Sequence, residues 1–284
     1  LESFAKKMHQ SGLSWTALDE EQMDEMADAC VEEVVSYYGN TVLKSSARNE
    51  YMVSRVKRMM KRTIWALTKQ MEQGAFTPSR FEVSFAMADS LESINIALSK
   101  EEKMKLLGRI DRVDTCEEED KVLVKVIDYK SGNTSFDLLA LYHGLQLQLV
   151  LYMNAAMELE QRNHPDKQVV PAGIFYYNIK DPVVEKIEEE EPEALNRRIL
   201  KELRMNGLAS SDRGVLEKLD ENLSANGTAS LCVPVTINKD GSLSRNSSAV
   251  SPEQFRLISN YVNLKMKEIG RRILNGEAET LPYE

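Results

Sequence analysis

One stretch of the chain reads Val126-Ile127-Asp128-Tyr129-Lys130-Ser131-Gly132. Its β-branched and aromatic residues favour a strand, and the Ser-Gly pair that follows favours a turn. Alternate side chains of a strand share a face, so Asp128 and Lys130 are predicted to point together, away from Ile127 and Tyr129. A carboxylate can hold a divalent cation, and an adjacent ammonium can orient water or offset the charge of a phosphate.

The Asp-x-Lys triplet alone is weak evidence. Asp and Lys each make up roughly 6% of an average chain, so about one such triplet is expected by chance at this length. A surface ion pair on an exposed strand is the more common explanation of the bare triplet. The neighbouring motifs therefore have to decide between a site and a surface pair.

The preceding strand-like run, 105–114, contains Gly108-Arg109-Ile110-Asp111-Arg112-Val113-Asp114. An acidic turn at 117–120 lies between this run and Asp128, and we interpret it as the tip of a hairpin. Such a hairpin would bring the Asp111 and Asp128 carboxylates onto neighbouring strands. Two converging carboxylates suit Mg²⁺, which takes few protein oxygens and keeps several waters.

Two further segments supply candidate side chains. Glu82 lies in the alternating run 81–85, and an acid on a half-buried strand face is costly unless it meets a cation. It could instead face solvent. Gln148 and Tyr152 are four residues apart on a predicted helix over 143–161, so they share a face, whereas Gln146 should point elsewhere. Ordinary amphipathic placement remains the alternative for this pair.

Together these motifs resemble the PD-(D/E)XK nuclease superfamily, in its RecB-like branch. That branch has a glycine-led GxIDRVD strand, an hhDYKSG strand and a helix with Gln-x-x-x-Tyr. The motifs at 108–114, 126–132 and 148–152 match its order and spacing. The resemblance implies an α/β fold: a restriction-endonuclease-like core with a mixed central sheet flanked by helices, plus N-terminal helical and C-terminal α+β additions.

The resemblance also implies Mg²⁺-dependent hydrolysis of DNA phosphodiesters, with Mn²⁺ as an alternative ion. Lys130 would be the catalytic lysine, and the helix pair would position DNA or that lysine. The backbone carbonyl of Tyr129 would add a ligand, and Glu82 matches the family's acidic strand position less closely. The implied catalytic residues are Asp111, Asp128, Lys130, Gln148 and Tyr152, and the implied metal-binding residues are Asp111, Asp128, Tyr129 and Glu82.

The segment 203–284 is similar to the C-terminal part of nuclease subunits in AddAB-type ATP-dependent helicase–nuclease complexes. The matching stretches are 205–208, 211–213, 237–242, 247–251 and 273–283. This likeness implies a helicase A subunit as partner and, as substrate, a DNA single strand from unwound duplex. It further implies a role in double-strand-break processing and recombinational repair. The alternatives are another RecB-like or CRISPR-associated exonuclease, or a nuclease-fold DNA-binding or structural module that is inactive as this fragment.

Family members also carry a motif histidine before the core and a four-cysteine 4Fe-4S cluster. Leu1-Glu2-Ser3-Phe4 reads as the interior of a helix, so we expect a fragment whose motif histidine precedes Leu1 and whose cluster cysteines lie outside it. The fragment itself is therefore expected to have an incomplete site. Cys30, Cys116 and Cys232 match no cluster position, and their wide spacing is typical of reduced thiols in a cytoplasmic protein.

Composition sets further bounds. A net charge of -9 argues against a protein that coats nucleic acid non-specifically, and 42% hydrophobic residues fit a globular chain without a membrane span. The predicted helix over 49–73 is locally basic, which indicates either a solvated face or a DNA-backbone contact. We expect a helical segment at 1–78, a nuclease core at 79–182, and an extension at 183–284 with a hairpin at 238–241 and a long final helix.

Overall fold

A mixed six-stranded sheet forms the centre of the computed structural model, which describes residues 1–38, 40–85, 91–185, 187, 190–277 and 279. Its strand order is β1-β4-β5-β6-β7-β8, with β5/β6 and β7/β8 parallel and the other pairs antiparallel. A separate hairpin pairs β2 with β3. The strands are β1 Thr77–Ser84, β2 Asn95–Ala97, β3 Lys103–Lys105, β4 Arg109–Glu117, β5 Lys121–Lys130, β6 Gln168–Asn178, β7 Asn206–Ser210 and β8 Ala249–Val250.

Helices cover both faces of the sheet. Short 3-10 turns, among them Trp15–Ala17 and Glu221–Ser224, accompany them. The helices are α1 Glu2–Ser11, α2 Glu20–Tyr37, α3 Asn40–Leu43, α4 Ala47–Glu72, α5 Leu138–Tyr142, α6 Gln148–Asn163, α7 Pro192–Glu202, α8 Arg213–Leu219 and α9 Pro252–Leu274. The predicted α/β class with a mixed, helix-flanked sheet is confirmed.

The sheet separates two apolar cores. Ile127 and Phe175 pack into the core shared with α1, α2, α4 and α8, which we call the α4 core. Val126 and Ile174 pack into the opposite core beneath α6 and α9, the α6 core. Because both faces of β5 and β6 are covered, these central strands carry nearly continuous apolar runs.

The predicted helices are present, with one error of facing. Asp19 and Ser251 cap α2 and α9 with reciprocal capping boxes, and α9 is the long final helix predicted from the sequence. The three- and four-residue spacing of apolar residues predicts a helix over 18–39 with Val34 and Tyr38 on its apolar face. In the structure Val34 of α2 is 43% exposed, and Tyr38, which directly follows α2, is 68% exposed. No apolar layer within the described ranges covers that end of α2. Gly39, the predicted end of the helix, lies outside the described residues.

Two element boundaries differ from expectation. The predicted strand over 105–114 starts only at Arg109, because Lys105 ends the separate β2–β3 hairpin and residues 106–108 connect the two. The helix predicted from His143 starts at Gln148, because Gly144 adopts a left-handed backbone with φ 84° that interrupts the helix after α5. The hairpin tip at 117–120 is confirmed, with Glu118 N–H donating to the Lys121 carbonyl at 2.8 Å.

The C-terminal extension contributes to the central sheet. Strands β7 and β8 both come from beyond residue 182, so the sheet crosses the second of the expected segment boundaries. The three-segment division stays a prediction. The expected turn at 238–241 is present, with Asn238 N–H donating to the Ser242 carbonyl at 2.8 Å. No helix within the described ranges is both long enough and apolar enough to span a membrane.

Candidate nuclease site

The C-terminal end of β5 places Asp128 and Lys130 on one face. Lys130 Nζ lies 2.5 Å from Asp128 Oδ2, while Ile127 and Tyr129 pack against the α4 core on the other side. The alternation predicted from the sequence is therefore confirmed. The Asp128 side chain is nearly buried, and that of Lys130 remains 28% exposed, so the ammonium lies at the mouth of the site.

Asp111 reaches the same strand end from β4. The antiparallel register pairs Arg112 with Ile127, which makes Asp111 and Asp128 the next cross-strand neighbours. One Asp111 oxygen, Oδ2, accepts the backbone N–H of Tyr129 at 2.8 Å. The hairpin thus brings the two carboxylates together as predicted.

Beside Asp111, the apolar side chains of β1 change from one face of the sheet to the other. Glu82 has a positive φ of 53°, and the residues on either side of it, Phe81 and Val83, pack into different cores. The expected regular alternation through 81–85 is therefore wrong at this point. A left-handed backbone is costly for a residue with a side chain, and such strain is concentrated at functional sites.

Glu82 is held beside the Asp111 position. Its neighbours Phe81 and Val83 pair with Arg112 and Ile110, which places Glu82 opposite Asp111. The side chain is 17% exposed and forms an ion pair with Arg109. The half-buried acid thus does meet a cation, and the cation present is a guanidinium of this chain.

A hydrogen-bonded chain extends from Lys130 to α6. Lys130 Nζ donates to Gln148 Oε1 at 3.0 Å, and Gln148 Nε2 donates to the Tyr152 hydroxyl at 2.7 Å. Gln146 instead bonds the 135–137 loop, as its spacing predicted. The helix pair therefore acts on the lysine in this structure.

Burial raises the pKa of Asp128, with Asp111 adding to the rise and Lys130 opposing it. Burial also raises the pKa of Glu82, to which Glu2 adds. Both acids are thus less readily ionised than in water unless a cation approaches. Carboxyls perturbed in this way, clustered at a strand end, are typical of a functional site.

Three neighbouring residues were not identified from the sequence. Lys130 Nζ lies 5.2 Å from the ring centroid of Tyr176, and Tyr152 packs edge-on against Phe85 at 5.7 Å. Gly108 leaves just enough room for that ring, since a Cβ there would lie 3.2 Å from Phe85. The glycine that leads the 108–114 motif is the sequence signal from which this close approach could have been predicted. The pairing of Asp128 with Tyr176 depends on a parallel register that sequence alone does not specify.

Comparison with known proteins extends these observations to the whole chain. The family model described as the PD-(D/E)XK nuclease superfamily matches residues 1–284. The chain belongs to the PD-(D/E)XK nuclease superfamily. The resemblance inferred from the motif residues is confirmed by this match.

Curated relatives of this nuclease-superfamily chain share one name, which describes the B subunit of an ATP-dependent helicase/deoxyribonuclease. The Lachnoclostridium phytofermentans protein is 39% identical over 289 residues, and that of Alkaliphilus metalliredigens is 37% identical over 285. The Clostridioides difficile protein is 35% identical over 285. Each match covers 100% of this chain and 24% of the relative, so the chain spans about a quarter of the length of these proteins.

The superfamily's expected metal can be tested against the side chains present. Within the described ranges, no three His, Cys, Asp or Glu side chains form a ready-made metal cluster. Asp128 Oδ2 and Glu82 Oε2 are nevertheless buried and accept no well-directed hydrogen bond, although a cation adjoins each. Oxygens of this kind, with Asp111 beside them, fit a hard divalent ion that prefers carboxylate ligands. The expected contribution of the Tyr129 carbonyl stays a prediction.

The basic helix α4 faces acidic partners. Lys57 pairs with Glu32, and Lys61 lies 2.9 Å from Asp28, both acids being on α2. Arg58 pairs with Asp181 at 2.5 Å. Of the two interpretations of the basic stretch, the structure favours a solvated, ion-paired face over a DNA contact.

Proposed function

We propose that this chain is the nuclease domain of a helicase–nuclease subunit and hydrolyses DNA phosphodiester bonds with Mg²⁺, or alternatively Mn²⁺. The observation that carries the proposal is the joined set at the end of β5. Asp128 pairs with Lys130 at 2.5 Å, and Lys130 is held in turn by Gln148 at 3.0 Å. Acid, lysine and orienting amide are thereby fixed in one place before substrate arrives.

Asp111 and Asp128 would hold the divalent cation, with the Tyr129 carbonyl and Glu82 as further candidates. When bound, such an ion stabilises charge on a phosphate and lowers the pKa of a nearby water. Lys130 would direct an N–H toward the phosphate or the attacking water, since its ammonium is the exposed end of the set. Gln148 and Tyr152 would keep that ammonium from swinging into solvent.

The proposed substrate and partners rest on the names of the relatives. Those names describe a helicase/deoxyribonuclease and one of its subunits. We propose that the DNA is a single strand released by a helicase A subunit, and that the complex acts in double-strand-break processing and recombinational repair. A 4Fe-4S cluster in the complete protein stays a prediction.

The test is cleavage of single-stranded DNA by the full-length protein with its helicase partner. We expect Asp128→Ala and Lys130→Ala each to lower the rate by about 10²-fold or more, as removal of charge-stabilising groups does in other enzymes. Lys121→Ala, at the opposite end of β5, is the matched control and should cleave normally. Near wild-type cleavage by both site variants would contradict the proposal.

Metal titration separates the nuclease from a nuclease-fold binding module without chemistry. Calorimetry of the same complex with Mg²⁺ and Mn²⁺ should detect binding that Asp111→Ala weakens by at least about tenfold, because one of two carboxylate ligands is lost. A complex that binds DNA but no divalent ion at this site would favour the module instead.

A further inference from the structure

The side chain of Tyr176 forms the floor beneath Lys130. Strand β6 runs parallel to β5, and its register pairs Tyr176 with Asp128, so both side chains face the α6 core. Tyr176 is 3% exposed, and its ring centroid lies 5.2 Å from Lys130 Nζ. The lysine thus lies over an aromatic face that water does not reach.

The ring completes a three-sided enclosure of the ammonium. Asp128 contacts Lys130 Nζ at 2.5 Å, and Gln148 accepts from it at 3.0 Å. Those two contacts are polar and leave one side of the ammonium unrestrained. An aromatic face attracts a cation within about 6 Å of the ring centroid, so Tyr176 restrains the remaining side.

Tyr176 is itself held in place. It lies on β6 between two hydrogen-bonded neighbours, and on the β7 side it pairs with Asn206. The Asn206 side-chain oxygen accepts the backbone N–H of Phe136 at 2.8 Å, and the Phe136 ring lies 6.5 Å from that of Tyr176. A buried strand residue packed in this way gives the lysine a fixed support.

We propose that Tyr176 is a positioning residue whose aromatic face holds Lys130 between Asp128 and Gln148. The role rests on the proposed function, because it concerns the lysine of the proposed cleavage reaction. The contact is made by the ring face rather than by the hydroxyl. The ring is therefore required and the hydroxyl is dispensable.

The test compares Tyr176→Phe, which keeps the ring, with Tyr176→Leu and Tyr176→Met, which remove it. Cleavage of single-stranded DNA is measured in the full-length protein with its helicase partner, and kcat, KM and the unfolding temperature are recorded for each variant. The Phe variant should stay within about twofold of wild type. The Leu and Met variants should lose about tenfold in kcat with KM nearly unchanged, the size expected for one cation–aromatic contact.

Tyr177→Leu is the matched control. Tyr177 is the next residue of β6, is fully buried, and faces the α4 core instead of Lys130. Its substitution should lower the unfolding temperature at least as much as Tyr176→Leu does, without a selective loss of kcat. A purely structural role for Tyr176 would make the two Leu variants alike.

Three outcomes would overturn the inference: full kcat in both ring-less variants, a kcat loss matched by Tyr177→Leu, or a Phe variant as impaired as the Leu variant. Including Lys130→Ala keeps the two proposals apart. Normal cleavage by Lys130→Ala would refute the assigned role of the lysine, whereas loss in Lys130→Ala with normal cleavage in Tyr176→Leu and Tyr176→Met would refute only the role of Tyr176.

Discussion

The β4–β5 hairpin carries two clusters of charged residues, and they differ in how completely their charges are satisfied. On the α4-core side, Asp114 accepts two hydrogen bonds from Arg112, at 2.5 and 2.9 Å, and lies 2.9 Å from Lys125 Nζ. At the other cluster, Asp128 lies between the cation Lys130 and a second acid, Asp111, and its Oδ2 accepts no well-directed hydrogen bond.

The pKa directions express the same difference. Burial by itself would raise the pKa of Asp114, but Arg112 and Lys125 hold it below its ordinary value. The pKa of Asp128 is raised, because burial exceeds the help that Lys130 gives. Complete pairing with cations, as at Asp114, keeps a buried carboxylate ionised and lets it stabilise the fold. Incomplete pairing leaves a carboxylate able to take another cation, which is the property a site needs.

The largest expected effect comes from removing the charge of Asp114, the carboxylate that Arg112 and Lys125 fully pair. Asp114→Asn would leave Arg112 and Lys125 buried without their counter-charge, which costs roughly 3–5 kcal/mol of unfolding free energy. Urea denaturation at neutral pH measures the loss. Asp128→Asn is the control, expected to unfold no more easily than wild type because its own carboxylate is poorly paired. Equal stability of the two variants would mean that the clusters do not differ as described.

Acidification should remove the folding stability that the Asp114 carboxylate contributes. Its folded-state pKa lies below the unfolded value of about 3.9. The carboxylate therefore contributes stability above the unfolded pKa, and this contribution is lost as pH falls through the folded pKa. The gap between wild type and Asp114→Asn should be full at pH 7 and shrink on acidification below about pH 4. A gap that stays constant down to acidic pH would contradict this.

Sequence reasoning predicted the site where one strand or one helix was enough. The period of a strand placed Asp128 with Lys130, and the four-residue helical step placed Gln148 with Tyr152. The acidic turn between the two motif strands supplied the remaining information, since a hairpin fixes which positions of β4 and β5 become neighbours. These features depend on local geometry, which the residue spacing determines.

The remaining features depend on contacts between distant parts of the chain. Beside Asp111, the β1 residues Phe81 and Val83 pack into different cores, so β1 changes facing at Glu82. That change needs a positive φ at a glutamate, which no residue preference indicates. Tyr176 reaches Lys130 only through the parallel pairing of β6 with β5, which joins Asp128 to Tyr176 across the sequence between the two strands. Such pairings are outside what periodicity can specify.

A smaller effect is expected at Glu82, beside the Asp128 cluster, because its left-handed backbone lowers the stability of the fold. Glycine adopts a φ of 53° without steric cost, so Glu82→Gly should raise the unfolding free energy by about 1 kcal/mol. Its partner Arg109 is 55% exposed and stays hydrated when the acid is removed. Val83→Gly on the same strand, with an ordinary φ, should instead be destabilising. A loss of stability in Glu82→Gly equal to that in Val83→Gly would exclude strain at Glu82.

The smallest effect is expected at Gly108, which supports Lys130 only through intervening side chains. A Cβ at Gly108 would lie 3.2 Å from the Phe85 ring and 3.8 Å from that of Tyr152, so Gly108→Ala displaces these rings by a few tenths of an ångström. The displacement reaches Lys130 through Gln148 and should lower kcat by about two- to fivefold, since misplacement by 1 Å can cost about 10²-fold.

Gly132→Ala is the control for this last effect. It lies two residues after Lys130, but nothing occupies the space within 4 Å of its added Cβ. The control should therefore cleave DNA at the wild-type rate in the same assay. If Gly108→Ala also cleaves normally, the Tyr152 ring does not transmit position to Lys130, and the direct contacts of Lys130 position it without help from that ring.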